Sequence, residues 1–171
     1  MKIISFTLGI FLMLCSCKNG NPTSLSQAEM NVIPSEISAA INIVLAGWNL
    51  NKINTLFPIF ANDAGFTYVG IDGELYNYNQ LIKIAKAQFE NLEYGKYTLT
   101  EKKIKVIDAK TAVAILKMSC EFKDLKGIIE KYEKIGCTLI FEKIGSEWLV
   151  THFQESTRPG VIVNPEVEKA S

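Results

Sequence analysis

The sequence predicts an α+β fold in which N-terminal helices cover an antiparallel sheet. Over much of the chain up to about residue 92, apolar residues recur at the spacing of helices. Beyond that point the period changes to two, and four strand-length segments rich in β-branched and aromatic residues follow one another. Because helices come first and consecutive strands afterwards, neighbouring strands can pair while the helices pack on one face of the sheet.

The N-terminus is predicted to be a lipoprotein signal peptide, residues 1–16. Lys2 supplies a positive charge, and residues 3–14 form an apolar run too short for a membrane span of about 20 residues. The run closes with Leu14-Cys15-Ser16-Cys17, which resembles the lipobox of bacterial lipoprotein precursors. The resemblance implies lipidation of Cys17 and anchoring to the outer membrane or a periplasm-facing membrane of the bacterial cell envelope. The alternative is an uncleaved interfacial or buried helix.

The predicted folded domain covers residues 34–158. Residues 17–33 are rich in Asn, Ser, Thr and Gln and lack a sustained apolar face, so we expect a flexible membrane tether. Pro34-Ser35-Glu36 favours a helix start. The first helix then carries one apolar stripe, formed by Ile37, Ala40, Ile41, Val44, Leu45 and Trp48.

Two further helices and a short strand are predicted before the sheet. A short helix at about residues 52–57 is ended by a proline, and residues 65–69 look extended. The third helix runs from residue 78 to about residue 92, with Asn77 and Gln80 placed as a capping box.

The four main strands are predicted over residues 97–107, 113–122, 128–141 and 148–156. Alternation breaks around Gly136, which predicts a β-bulge there. The alternating charges of residues 130–134 are typical of a solvated strand face. Residues 159–171 are expected to be a loose tail.

Composition and cysteine spacing narrow the possible partners and cofactors. Lys and Arg total 18 and so do Asp and Glu, which argues against nucleic-acid binding because phosphate contacts need a basic surplus. In the predicted hairpin Cys120 lies opposite about Glu130, and Cys137 is about 20 Å further along. That separation excludes a disulfide between the two cysteines. A single histidine does not support a metal site, and no cofactor is predicted.

Three segments resemble the nuclear transport factor 2-like superfamily, especially its small SnoaL-like bacterial members. Residues 60–64 resemble the aromatic-Ala-Asp-Asp-Ala segment after the second helix, residues 70–73 the Gly-containing turn, and residues 146–156 the Gly-Trp-x-Ile-x-His-x-His-x-Ser final strand. The resemblance covers about residues 34–158. It implies a cone-shaped domain with a pocket between helices and sheet, and a possible homodimer formed through the outer face of the sheet.

Catalytic members of that superfamily differ from this chain at important positions. Ketosteroid isomerases place a general-base Asp five positions after the Asp that corresponds to Asp63, and here that position is Tyr68. Their oxyanion-hole Tyr falls on Val44, which cannot donate a hydrogen bond. Gln154 replaces a second His of the final strand. Isomerase chemistry of that type is therefore not expected.

The candidate site centres on His152, the single histidine. Strict alternation of the last strand would direct it into the cone, where Tyr68, Asp63 or Tyr132 could orient it as a general acid or base. The candidate pocket comprises Trp48, Phe60, Tyr68, Met118, Tyr132, His152 and Gln154.

Three functions fit this pocket. The first is a membrane-tethered, non-catalytic module that binds a small, mostly apolar ligand or a protein partner. The second is a SnoaL-like lyase or isomerase acting on a small hydrophobic substrate, with His152 and Asp63 as catalytic residues. The third is a purely structural dimer in an envelope assembly.

Overall fold

The computed structural model describes residues 26–158 and 160–163. Two helices, α1 (Gln27–Asn49) and α2 (Ile53–Leu56), are followed by a 3₁₀ turn over Phe57–Ile59. In the chain, the third helix, α3 (Tyr78–Asn91), follows two short strands and precedes the four long ones. Its N-terminus has the predicted capping box, because Asn77 accepts from the Gln80 backbone N–H at 3.0 Å and donates its own N–H to Gln80 Oε1 at 2.9 Å.

The described residues form a seven-stranded, curved sheet. Its strands are β1 (Thr67–Val69), β2 (Leu75–Tyr76), β3 (Leu92–Val106), β4 (Thr111–Asp124), β5 (Ile129–Ile144), β6 (Glu147–Thr157) and β7 (Val161–Val163). The order is β2-β1-β6-β5-β4-β3, with β7 paired to β5 beside this path. All pairings are antiparallel except that of β1 with β6. The predicted α+β architecture is confirmed.

Helix α1 begins seven residues earlier than the sequence suggested. Pro34 lies inside the helix rather than at its start, and Ser38 Oγ donates to the Pro34 carbonyl oxygen at 2.8 Å. Ile33 is buried and extends the apolar stripe by one turn towards the N-terminus. The last seven residues of the expected tether are therefore part of α1, which begins at Gln27. Residues 17–25 of that tether, including Cys17, and the signal peptide lie outside the described residues.

The apolar stripe of α1 packs against the sheet to form one core. Residues Met30–Asn49 are long and apolar enough to cross a membrane by length and composition, but this helix buries Ile37, Ile41 and Val44 within the domain. Gly47 lets α1 and α2 approach closely, since a Cβ at this position would lie 2.7 Å from the Leu56 Cα. The stripe predicted from the sequence is therefore a core stripe.

Two β-bulges change which residues of the sheet face the helices. On β5 the register slips between the pairs Met118 with Ile135 and Cys120 with Tyr132, so the extra residue lies at Glu133–Lys134. Gly136 itself pairs regularly with Lys117, and the predicted bulge position was wrong. On β6 the pairs Phe141 with Val150 and Ile140 with His152 leave Thr151 as the extra residue.

The remaining predictions concern cysteines and the tail. Cys120 and Cys137 are free and buried, and they lie opposite Tyr132 and Leu116, so the absence of a disulfide between them is confirmed. The tail was expected to be loose over its whole length, but Val161–Val163 forms β7.

Candidate functional site

A cavity of about 370 Å³ lies between the helices and the concave face of the sheet. Its walls come from α1, α3 and most of the strands, and they are largely aromatic and aliphatic. The aromatic lining consists of Trp48, Tyr68, Tyr76, Tyr97, Phe122 and Tyr132. Trp48 and Tyr97 pack with ring centroids 5.7 Å apart, and Tyr97 meets Phe122 edge to face at 5.4 Å. These contacts hold the wall in a fixed arrangement.

Three carboxylates also line the cavity, and each accepts a hydrogen bond from a lining tyrosine. Tyr68 Oη donates to Glu155 Oε2 at 2.9 Å, while Tyr132 donates to Glu130. The third carboxylate, Asp72, accepts from Tyr76 and also caps the turn between β1 and β2 through the Glu74 backbone N–H. The site is thus an apolar cavity with a regular set of carboxylate–tyrosine pairs.

Glu155 is the most enclosed of the three carboxylates. It lies on β6 beside Cys137 of β5, whose Sγ is 3.9 Å from Glu155 Oε1. Burial raises the pKa of the Glu155 carboxyl, and the hydrogen bonds from Tyr68 and Cys137 oppose that shift only in part. A carboxyl in this environment exchanges its proton closer to neutral pH than an exposed one does.

The tyrosine partners are correspondingly hard to ionise. Burial, and then the neighbouring Glu155, raise the pKa of Tyr68 far above its ordinary range. Burial and the hydrogen bond to Glu130 raise the pKa of Tyr132 to about 12. Both hydroxyls therefore act as hydrogen-bond donors, not as bases, at physiological pH.

Asp72 stands at the exposed end of the site and behaves differently. The hydrogen bond from Tyr76 lowers the pKa of its carboxyl, and the Glu74 backbone N–H adds to that effect. Asp72 is therefore ionised at neutral pH.

The two bulges place two of these carboxylates in the cavity. Beyond the Thr151 bulge, Phe153 and Glu155 point to the same side as Trp148 and Val150. On the N-terminal side of the Glu133–Lys134 bulge, Glu130 and Tyr132 turn towards the cavity in the same way. The run 130–134 is therefore not a wholly solvated face, because two of its members line the site.

The Thr151 bulge also reverses the expected orientation of His152 and Gln154. His152 lies on the opposite side of the sheet from Glu155, next to Thr67 of β1, and its Nδ1 shares a 2.6 Å hydrogen bond with Thr67 Oγ1. Gln154 is exposed. Neither residue lines the cavity, so their assignment to the pocket was wrong. Strict alternation failed because the extra residue shifts the phase by one.

Other predicted site residues have structural positions. Phe60 is buried beside Phe57, Phe66 and Phe153, and Met118 is buried in the core of the sheet. Neither lines the cavity. Trp48, Tyr68 and Tyr132 do, as predicted.

Asp63 is exposed, and its carboxylate is used within a turn. Asp63 Oδ1 accepts from the backbone N–H groups of Gly65 at 2.8 Å and Phe66 at 3.1 Å, immediately before β1. Neither Asp63 nor His152 lines the cavity, and the hydrogen-bond partner of His152 is Thr67. Within the described ranges, no group of three or more His, Cys, Asp and Glu side chains could hold a metal ion.

Sequence reasoning missed Glu155, Glu130 and Asp72. One signal for Glu155 was present: Phe153 is a large apolar residue in the wrong phase for a strand that buries Trp148 and Val150. A phase change between Val150 and Phe153 would have directed Glu155 inward.

The family model for the SnoaL-like domain matches residues 37–159. The chain belongs to the SnoaL-like family. This confirms the resemblance inferred from residues 60–64, 70–73 and 146–156, and with it the nuclear transport factor 2-like fold. No curated protein sequence matches the chain significantly.

Solved structures share this SnoaL-like fold at low sequence identity. Hexachlorocyclohexane dehydrochlorinase LinA-type3 from Novosphingobium barchaimii LL02 aligns with a TM-score of 0.69 and 11% identity, over 82% of this chain and 96% of that one. A protein with a cystatin-like fold from Caulobacter vibrioides aligns with a TM-score of 0.61 and 19% identity, over 81% and 94%.

A third structure is a nuclear transport factor 2-like superfamily protein from Salmonella enterica subsp. enterica serovar Typhimurium str. LT2. It aligns with a TM-score of 0.67 and 16% identity, over 75% of this chain and 92% of that one. At these identities the likeness establishes the fold alone.

Proposed function

We propose that this SnoaL-like domain binds a small, mostly apolar ligand in its cavity without converting it. The observation that carries the proposal is the cavity itself, about 370 Å³ in volume and walled mainly by aromatic and aliphatic side chains. That volume falls within the range of about 300–1,000 Å³ typical of small-molecule sites. Its few polar groups converge from β5, β6 and the turn after β1, which suits a ligand with one or two polar atoms.

Glu155 supplies the orienting group for such a ligand. One of its carboxyl oxygens accepts from Tyr68, and a carboxylate has lone pairs left for further donors. A ligand group that donates to Glu155 inside the cavity would form a charge-assisted hydrogen bond, which contributes about 1.5–3 kcal/mol. The surrounding rings would cover the apolar part of the ligand.

The binding proposal is tested by narrowing the cavity without disturbing the core. Ile84 lines the cavity from α3 and its side chain is 37% exposed, so Ile84→Trp adds bulk at a tolerant position. Ile43→Trp is the matched control, because Ile43 is 44% exposed on α1 and does not line the cavity. The measurements are native mass spectrometry of the protein isolated from cells and ligand-observed NMR against a fragment library.

We expect a retained compound or fragment hits that Ile84→Trp weakens at least tenfold and Ile43→Trp leaves unchanged. The binding function would be wrong if the folded protein retained no compound and gave no hit that responds to Ile84→Trp.

A second candidate is a lyase or isomerase that uses Glu155 as the proton acceptor. The specific observation in its favour is a carboxyl with raised pKa enclosed by apolar walls, which is a general base suited to neutral pH. One solved relative is named a dehydrochlorinase, and that name denotes an elimination. His152 is not suited to this role, since it faces Thr67 on the other side of the sheet.

Turnover separates the two candidates. A compound that binds should be recovered unchanged if the domain is a binding module. Conversion that falls by about a hundredfold or more in Glu155→Gln, while binding persists, would establish the enzyme instead.

We also propose that Cys17 is lipidated and tethers the domain to a membrane of the bacterial envelope. The support is the lipobox-like sequence Leu14-Cys15-Ser16-Cys17 after a short apolar run. Residues 18–26 could span at most about 30 Å between the anchor and α1.

Mass spectrometry of the native N-terminus should find an acylated Cys17, and Cys17→Ser should release the protein to the soluble fraction. An unmodified Cys17, or a mature start elsewhere, would exclude the anchor.

A homodimer through the outer face of the sheet remains a prediction. Sedimentation equilibrium of the purified protein measures it directly.

A further inference from the structure

The charge of the cavity is one-sided. Asp72, Glu130 and Glu155 line it, whereas no Lys, Arg or His side chain does so among the residues that the structure describes. Asp72 is held in its ionised form by the hydrogen bond from Tyr76. The cavity therefore has carboxylates at its entrance and in its interior with no fixed cation to neutralise them.

The tyrosine hydroxyls do not relieve this imbalance for a ligand. Those of Tyr68, Tyr76 and Tyr132 each donate their proton to one of the three carboxylates. These three hydroxyls are thus already engaged as donors, while the carboxylates keep free acceptor lone pairs. Groups that only accept hydrogen bonds, such as carboxylates or phosphates, would meet like charge here, and groups that donate would find partners.

Aromatic faces surround the same carboxylates. Tyr68 stacks on Tyr76 at 5.7 Å, and Phe122 lies edge to face with Tyr132 at 6.2 Å. Trp48 completes the opposite wall from α1. A cation placed among such rings gains cation–π attraction of about 0.5–2 kcal/mol per favourable ring, in addition to its interaction with a carboxylate.

We propose that the cavity selects a small organic cation, an amine carried on an apolar skeleton, with its ammonium group against Glu155. This inference rests on the proposed binding function and adds the class of ligand to it. The carboxylate, the surrounding rings and the absence of a lining cation would each favour an ammonium group over a neutral or anionic group of the same shape.

In the described part of the chain, no group that interacts with Glu155 carries a positive charge, so a ligand ammonium would serve as its counterion. The titratable groups that interact with it are Tyr68 from β1, Tyr97 from β3, Cys120 from β4 and Cys137 from β5, and Asp72, Glu130 and Tyr132 line the same cavity. All of them are neutral or negative, and burial further raises the pKa of the Glu155 carboxyl. A bound ammonium stabilises the ionised carboxylate, so binding should release a proton and become tighter as pH rises through that pKa.

The test compares three ligands that share one skeleton. Naphthylethylamine, naphthylethanol and naphthylacetate present a cation, a neutral group and an anion at neutral pH. Affinities are measured by calorimetry with the purified full-length protein, in two buffers of different ionisation enthalpy so that proton release is detected. Glu155→Gln removes the charge with little change in shape, and Glu147→Gln is the matched control at an exposed position on the same strand.

We expect the amine to bind at least about tenfold more tightly than the alcohol, and the acetate to bind most weakly. Glu155→Gln should weaken the amine about tenfold and the alcohol less than about threefold, while Glu147→Gln should change neither. Circular dichroism confirms that each variant is folded.

Equal affinities for amine and alcohol, or an amine preference that survives Glu155→Gln, would overturn the ligand class while leaving the binding function intact. If none of the three compounds binds to the folded protein, the amine inference fails, and the fragment and Ile84→Trp experiments then decide the binding function separately.

Discussion

Replacing Gly47 by alanine tests the closest helix contact in the domain. Alanine normally stabilises a helix interior relative to glycine by about 1 kcal/mol. At this position, however, the new Cβ would lie 2.7 Å from both the Cα and the Cβ of Leu56 and 2.8 Å from its backbone nitrogen. Carbon atoms in favourable contact are about 3.5–4.0 Å apart, so α1 and α2 would have to separate by close to 1 Å.

The net effect follows from these two opposing terms. Inserting a methyl group into a packed core costs about 1–3 kcal/mol. The upper part of that range applies here, because two of the obstructing atoms belong to the backbone and the third, the Leu56 Cβ, is bonded directly to it, so none can rotate away. The Gly47 carbonyl oxygen also accepts from the Lys52 backbone N–H at 3.0 Å, which ties the two helices together and limits relaxation. After the gain in helix propensity, Gly47→Ala should lower the free energy of unfolding by about 1–2 kcal/mol.

Urea denaturation followed by circular dichroism measures this difference. Ala39→Gly calibrates the propensity term, since Ala39 is exposed in the middle of the same helix and should lose about 1 kcal/mol. A Gly47→Ala protein as stable as the natural one, or more stable, would refute the close packing of α1 on α2. A change in the urea dependence itself would indicate altered compactness rather than this contact.

Three further predictions concern the site. Trp48 is 8% exposed and packs against Phe89 and Tyr97, so Trp48→Ala should lower the free energy of unfolding in urea melts by about 3 kcal/mol. This is the low end for such truncations, because the ring already borders a cavity. A loss under about 1 kcal/mol would contradict the burial of Trp48. Since burial raises the pKa of Glu155 above its ordinary value of 4.5, the contribution of this group to stability is complete below that value and is lost as pH rises through the folded-state pKa. Glu155→Gln should therefore gain stability relative to the natural protein as pH rises above about 4.5, and a pH-independent difference in urea melts would exclude this shift. His152→Gln should leave ligand affinity within about tenfold in calorimetry, because the ring faces Thr67 outside the cavity; a larger loss would return His152 to the site.

The sequence predicted where the helices and strands lie better than it predicted which side chains of each strand face the cavity. The change from helical to strand period placed the end of α3 within one residue and the bounds of β4, β5 and β6 within three residues, whereas β3 begins five residues before its predicted start. These features depend on local patterns of apolar residues, which a sequence displays directly. The early part of α1 was missed because polar residues and Pro34 suggested a linker, although the burial of Ile33 continues the stripe.

The faces of β5 and β6 were not predictable from alternation alone. A bulge depends on how two strands pair over their whole length, and its position is set by tertiary contacts. The bridge of Phe60 to Val150 and the hydrogen bond from the Ala61 N–H to the Val150 carbonyl oxygen fix β6 just before Thr151, from a distant part of the chain. Phe153 signals a phase change near Thr151, but the contacts that fix its position come from residues 60 and 61.

The position of the carboxylate explains why the comparison with ketosteroid isomerases found no acidic residue for this site. The resemblance assigned the general-base position of the isomerases to Tyr68, which lacks a carboxylate. In the structure Tyr68 nevertheless donates a hydrogen bond to the carboxylate of Glu155, which lies on β6, the strand paired with β1. Tyr68 and Glu155 thus line the same cavity, but the carboxylate comes from β6, not from β1. A comparison of the β1 position alone does not find this carboxylate, because it is the Thr151 bulge on β6 that turns Glu155 inward.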